Sequence, residues 1–316
     1  MGTRLRPHTN VQPKALLNVA GKPILEHILD TVIPLNPSLT VFVVGFLGEQ
    51  IEEYIRRSYR LPSSFIYQKE LLGLGHAIYQ ARDEIDREEI LIILGDTIVE
   101  ANLLQNLKGD FDLLGVKEVN DPERFGIAEV ENGSVKKLVE KPRAPKGNLA
   151  LVGLYYIKST RIFRQCLDEI VQKKITTQGE YQLTDALQLM IERGVKFKTF
   201  PVEGWYDCGK KETLLETNRT LLKKLRYAPP KLDSTEIIQP VYIASTARIT
   251  ESVIGPNVTI TERSEVDNSK IKNSILWEGC RVKNAALHDS LIGQKAVYRG
   301  SSKFEESQSL NLGGND

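Results

Sequence analysis

Cysteine is scarce, with Cys166, Cys208 and Cys280 far apart and no Cys-x-x-Cys pair. An odd, dispersed set argues against a disulfide framework or a zinc cage, and fits a reducing cytoplasm. Long apolar runs are missing too: none approaches the ~20 residues that span a bilayer, and the start lacks the charged-then-apolar layout of a signal peptide. Neither a membrane partner nor export is expected. There is no excess charge of one sign, since Lys plus Arg total 42 and Asp plus Glu total 41. That balance supplies no bulk basic field for a nucleic-acid backbone, so nucleic acid is not an expected partner. Small phosphates need only local cations.

What is present is a chain of 316 residues, 41% of them hydrophobic, enough for a full core and two unequal domains. Ile24, Leu25, Ile28, Leu29 and Val32 repeat at helical spacing, and the β-branched run Thr40 to Val44 follows. Further helices are expected near Glu49 to Arg57 and Gly75 to Ile85, with strands at Phe65 to Tyr67 and Ile90 to Leu94. Such alternation predicts a mostly parallel sheet covered by helices. From Asp112 to Ile157 strands and turn signals such as Asn132-Gly133 take over, before helices near Ile162 to Val171, Tyr181 to Arg193 and Lys210 to Arg226. The predicted class is α/β, a Rossmann-like sheet with a β-rich insertion. Tyr227-Ala228-Pro229-Pro230 then ends the helical periodicity.

Beyond it, aliphatic residues recur every five or six positions. Taken every third, they form the series Ile243, Ile260, Leu276, Ile292; Ile249, Val266, Val282; and Ile254, Ile271, Leu287, spaced by sixteen or seventeen. Three stacked columns predict a three-sided parallel β-helix of about three coils. Small residues two places before many of them, such as Ser252, Ser264, Ser269, Ser274, Cys280 and Ser290, suit its corners. The expected division is a catalytic domain over 1–226, a linker over 227–239, a β-helix over 240–300 and a tail over 301–316.

The chemistry is concentrated in short segments. Gly2-Thr3-Arg4-Leu5-Arg6-Pro7-His8-Thr9, followed after a short gap by Pro13-Lys14, combines a glycine and cations in one apparent loop. Glycine lets backbone N–H groups approach phosphate oxygens, Arg4 offers a planar fork and Lys14 a point charge. Leu94-Gly95-Asp96 ends the most apolar strand, where open α/β sheets bind ligands. Gln68, Gly73-Leu74-Gly75-His76, Glu140-Lys141-Pro142 and Trp205-Tyr206-Asp207-Cys208-Gly209 complete the set. Taken singly, each is also an ordinary turn, helix start or exposed charged loop.

Together and in this order, the segments resemble the sugar-phosphate nucleotidyltransferases, including glucose-1-phosphate thymidylyltransferases and UDP-glucose pyrophosphorylases, over roughly residues 1 to 220. The tail is most like the long thymidylyltransferase form, whose C-terminal domain is a left-handed parallel β-helix. The resemblance implies transfer of a nucleotidyl group from a nucleoside triphosphate, with dTTP expected, to a sugar 1-phosphate, with glucose 1-phosphate expected, releasing pyrophosphate. UTP- or GTP-dependent relatives and a non-enzymatic sugar-nucleotide-binding regulator are the alternatives. An acyltransferase, suggested by the β-helix and its His288, is the weaker one.

Residue by residue, the resemblance gives Gly2, Thr3, Arg4 and Lys14 to the triphosphate, and Gln68 and Gly73 to the base. An amide donates and accepts at once, which complements the imide edge of thymine, uracil or guanine without distinguishing them. Gly126, Glu140, Lys141 and Leu151 would hold the sugar phosphate, while Asp96 and Asp207 would ligate Mg2+. Arg4, Lys14, Asp96 and Asp207 form the expected catalytic set. The Gly179 to Asp185 segment also matches the family but receives no catalytic role. A homo-oligomer is expected from the lateral surface of the β-helix. Family members carry an apolar strand and further glycines before the Gly-Thr-Arg loop. This sequence opens at Met1-Gly2-Thr3, and a true start further upstream is expected.

Overall fold

The computed structural model describes residues 3–85, 89–301 and 307–314. By contact the chain divides into two compact units, Ile28–Trp205 and the combination of Met1–His27 with Tyr206–Asp316.

The first unit is built on a six-stranded sheet whose organising strand is Leu149–Ile157. One edge of this strand pairs with Asp112–Glu118, which in turn pairs with Phe197–Pro201. Its other edge takes two partners: Ala150 faces Ile127 of the strand Gly126–Glu131, whereas Leu154 to Ile157 pair with Ile90–Ile93. The change of partner coincides with an irregularity between Leu151 and Tyr155, where Gly153 lies at φ +82°. A Cβ there would sit 2.7 Å from the Leu94 side chain, so only glycine admits the bend.

The sheet is mixed. The parallel pairing expected from the alternation occurs within it between Asp112–Glu118 and Phe197–Pro201, and also in a separate two-stranded sheet of Thr40–Val44 and Ser63–Tyr67. The remaining pairs are antiparallel because the Asn132-Gly133 turn folds Gly126–Glu131 back on Ser134–Glu140 and the long strand runs against its neighbours. Both faces are covered. Leu114, Tyr155 and Ile157 join Phe163, Leu167, Leu187 and Met190 from the helices Thr160–Gln172 and Leu183–Glu192. Leu113, Leu154 and Tyr156 join Val99, Leu103 and Phe200 on the opposite side, as the two-residue period of a strand requires. Buried Asp112 accepts the Lys158 and Ser159 N–H groups and the Ser159 hydroxyl, so its charge is satisfied while it orders the entry to Thr160–Gln172.

The second unit contains the left-handed parallel β-helix. Among the described residues its three faces have four strands each from Glu236–Ile237 to Val297–Arg299, and Asn311–Leu312 adds a fifth to one face. The register reproduces the sequence columns: Ile243, Ile260, Leu276 and Ile292 stack, as do Ile249, Val266 and Val282, and Ile254, Ile271 and Leu287. All ten side chains are at most 5% exposed.

The corners use a second periodic signal that the aliphatic columns do not carry. Positive φ falls at Glu251, Asn268 and Asn284, at Asn257, Asn273 and Asp289, and at Arg263, Gly279 and Lys295. Asn, Asp and Gly tolerate this left-handed backbone best. The small residue after such a corner points inward. Ser274 donates its hydroxyl to the Lys272 carbonyl and accepts the Ser290 N–H, and Ser290 in turn accepts the Leu310 N–H.

Residues 3 to 23 of this unit form three short 3-10 turns and a small hairpin. They lie on the β-helix: Trp277 donates its indole N–H to the Asn18 carbonyl at 2.9 Å, and a Cβ at Gly21 would fall 2.6 Å from the Tyr242 ring. Asn218, fully buried on the helix Lys211–Lys224, accepts the Ala20 N–H and the Thr259 hydroxyl. Among the described residues, no helix is long and apolar enough to cross a membrane.

Candidate active site

In the sheet unit, Gln68 follows the strand Ser63–Tyr67 and reaches the turn that begins the helix Leu74–Gln80. Its amide nitrogen lies 3.4 Å from the Gly73 carbonyl and 3.3 Å from His76 Nδ1. The Gln80 amide lies 3.0 Å from the other ring nitrogen of His76. Gly73, at φ +109°, is constrained on two counts: a Cβ would also stand 2.6 Å from the Tyr181 carbonyl oxygen. The Tyr181 N–H bonds the Leu72 carbonyl and the Gly75 N–H bonds the Tyr181 carbonyl. These bonds sew the Gln68–Gly73 region to the segment before Leu183–Glu192.

The same segment reaches the second cluster. Glu140 ends the strand Ser134–Glu140 opposite Gly126, and its Oε2 accepts the Thr184 hydroxyl at 2.8 Å. A Cβ on Gly126 would lie 3.0 Å from that oxygen and 3.1 Å from Leu151, so the missing side chain leaves backbone open beside the carboxylate. Lys141 adopts φ +44°, uncommon for a residue with a side chain, and places Nζ 3.6 Å from Glu140 Oε1. Gln68, Gly73, Gly126 and Glu140 are thus linked through residues 181 to 184, a stretch for which the motifs imply no catalytic role, with Lys141 beside Glu140 and Leu151 beside Gly126. The sequence sign of this was only a motif match; the closure comes from folding.

Asp96 is exposed after the strand Ile90–Ile93, and one of its oxygens accepts the Thr97 hydroxyl at 3.1 Å. The charges of Glu140 and Asp96 both reach the Tyr155 phenol. Burial first, then these two carboxylates, push its pKa up. Asp185 is raised as well, by burial and then by the charge of Glu140, against a lowering hydrogen bond from Thr177. One of its oxygens is buried without a hydrogen-bond partner.

In the β-helix unit, Arg4 is exposed in the turn Thr3–Leu5, and Lys14 opens the turn Lys14–Leu16. Gly2 lies outside the described residues, and of Thr3 only the backbone is described. Asp207 ends the strand Gly204–Asp207. Its Oδ1 accepts the Gly209 N–H at 2.6 Å, and a Cβ on Gly209 would collide with that oxygen at 2.7 Å. This fixes the carboxylate just before the helix Lys211–Lys224. His288 hydrogen-bonds Ser307 on the β-helix.

Residues 1–224 match the family model described as nucleotidyl transferase. The chain belongs to that family. Its members transfer a nucleotidyl group from a nucleoside triphosphate to a sugar 1-phosphate, and this chain is an enzyme of that class. It is 30% identical over 347 residues to the low-salt glycan biosynthesis nucleotidyltransferase Agl11 of Haloferax volcanii, covering 99% of this chain and 96% of that protein. It is 28% identical over 346 residues to a glucose-1-phosphate thymidylyltransferase of Streptomyces griseus, covering 99% and 95%. The solved structure of a UDP-glucose pyrophosphorylase complexed with UDP-glucose aligns with a TM-score of 0.62 at 25% identity, over 71% of this chain and 96% of that one.

Members of this family of nucleotidyl transferases typically use a divalent metal ion. Among the described residues, no group of three or more His, Cys, Asp or Glu side chains could hold one. Asp96 in the sheet unit and Asp207 in the β-helix unit are each a single hard carboxylate, the donor type that Mg2+ takes alongside waters and substrate phosphates.

Proposed function

We propose that this nucleotidyl transferase joins dTTP and glucose 1-phosphate to give dTDP-glucose and pyrophosphate. The observation that carries the reading is the Glu140–Thr184–Gly126 cluster, sewn through Tyr181 to the Gly73 turn beside Gln68. It offers a fixed carboxylate to sugar hydroxyls beside an amide for a base edge. The thymidylyltransferase relative, which matches along almost all of this chain, supports the choice of base and sugar. A second reading, UTP in place of dTTP, is favoured by the likeness to the UDP-glucose pyrophosphorylase, since the Gln68 amide fits the imide edge of uracil equally well.

A phosphate oxygen of the sugar 1-phosphate attacks the α-phosphorus of the triphosphate in line. The P–O bond to the β-phosphate breaks, and pyrophosphate leaves with that electron pair. The nucleophile is already anionic near neutral pH, so no general base is required. The barrier is electrostatic and positional. Arg4 and Lys14 neutralise the triphosphate, Lys141 holds the sugar phosphate, Glu140 orients the sugar, and Gln68 with the Gly73 backbone reads the base. Asp96 and Asp207 are the residues that would hold Mg2+, which when bound supplies further neutralisation of phosphate charge.

Pyrophosphate release with Mg2+ across dTTP, UTP, GTP, CTP and ATP against several hexose 1-phosphates tests the reading, with the dTTP and glucose 1-phosphate pair expected to give the highest kcat/KM. A preference for another pair would replace the substrates. Asp96→Asn should lower kcat by about 100-fold or more while circular dichroism stays unchanged, as expected for a lost charge-stabilising contact. Parent-like turnover at limiting Mg2+ would remove Asp96 from the metal site.

A further inference from the structure

The C-terminal segment closes the β-helix and then does something the helix does not require. Residues 308 to 312 continue the coils. Leu310 N–H extends the buried serine ladder at Ser290, and Leu291 and Gly293 donate their N–H groups to the Leu310 and Leu312 carbonyls. Asn311, between them, turns its amide away from the coil toward the N-terminal segment. Its Oδ1 lies 2.8 Å from His8 Nε2, and its Nδ2 donates to the Arg6 carbonyl at 3.0 Å. His8 is 3% exposed and meets the Trp277 ring edge-on at 4.6 Å between centroids. The next polar residue of the segment, Ser309, accepts a hydrogen bond from Lys211 at 3.0 Å, four residues after Asp207.

Arg4 and Lys14 ride on isolated three-residue 3-10 turns, which have little hydrogen bonding of their own. Such a segment must be ordered before its cations can meet a polyphosphate, and that ordering weakens binding if it happens only when the ligand arrives. The Arg6 carbonyl and His8 lie between those two cations in the chain, so holding both sets the path of the turn from each side. Leu5, 1% exposed, and Leu16 anchor the flanks by burial. Asn311 is placed to remove the remaining freedom at the centre.

We propose that Asn311 is a positioning residue for nucleotidyl transfer: by clasping His8 and the Arg6 carbonyl it pre-orders the turn that presents Arg4 and Lys14 to the triphosphate. This rests on the roles proposed above for Arg4 and Lys14.

Hydrogen–deuterium exchange on the full chain, parent against Asn311→Ala, reads the clasp without any activity. Amides of residues 4 to 12 should exchange about tenfold faster while those of the coils from 258 to 283 hold. Unchanged exchange in the turn, or a parallel loss throughout the coils, overturns the proposal. Kinetics read the consequence: Asn311→Ala should raise KM for the triphosphate about fivefold or more and leave KM for the sugar phosphate within about twofold. In a Lys14→Ala background the same change should add less than about twofold, because both act through one contact. Full additivity, or equal movement of both KM values, overturns the catalytic role. If Lys14→Ala turns over like the parent, the role given to Lys14 falls while exchange still decides whether Asn311 holds the turn.

Discussion

Gly73 and Asp185 show two ways in which single residues carry the cost of this site. Gly73 has no alternative, since its backbone is left-handed and the Tyr181 carbonyl occupies the place of a side chain. Asp185 could be replaced. It is half-buried, accepts one hydrogen bond from Thr177 and faces the charge of Glu140, so its carboxyl is held above the ordinary value of 3.8. A folded-state pKa above the unfolded one means that the folded protein binds the proton more tightly. The stabilisation it gives is complete below 3.8 and is lost as pH rises through the folded value. Asp185→Asn keeps an acceptor for Thr177 and removes the titration. Its urea midpoint relative to the parent should therefore be higher at pH 7 than at pH 4; a gap that does not change with pH would sink this account.

At the scale of elements, the β-helix is held by corners as much as by its aliphatic columns. Asn284 adopts φ +52° and accepts the Asn268 amide at 2.8 Å one coil below. A β-branched residue meets the left-handed penalty there and loses the ladder bond. Asn284→Val should lower unfolding free energy by about 1–2 kcal/mol in urea titration, whereas Asn284→Gly should lose only the ladder bond, about 1 kcal/mol or less. Equal losses would show that the ladder, not the backbone, carries the corner. The sheet unit depends on a different device, the bend at Gly153, which lets one nine-residue strand serve two partners on the same edge and aims Leu94, and so the Asp96 turn, at its end.

At the scale of the whole molecule, the three thiols are a global reporter. All are buried, and none is in a disulfide. Burial pushes Cys166 up to about 11 and Cys280 up to about 12, so little reactive thiolate exists near neutral pH. A thiol reagent should find no fast-reacting group in the native protein and three in denaturant. One fast native thiol would mean that a unit opens at its core.

How much of this was legible in advance differs between the two units. The β-helix was read from the chain because its geometry is one-dimensional: each coil contacts only its neighbours, so the stacking of Ile243, Ile260, Leu276 and Ile292 appears directly as a period. Its corners were less visible, because positive φ falls on Glu251, Arg263 and Lys295 as well as on Asn and Gly. In the sheet unit the alternation gave helices and strands, but not that Leu149–Ile157 would run antiparallel to its neighbours. Strand direction is set by which partners pack, not by local pattern. The candidate site divides in the same way. The sequence by itself determined the chemical inventory, since Arg4, Lys14, Gln68, Glu140 and Lys141 stand in an order that matches the family. Only the tertiary structure decided that Thr184 closes on Glu140 across 44 residues and that Asn311 clasps His8 across 303. Those contacts exist because distant segments are brought together by core burial, and no periodicity of the chain encodes such a meeting.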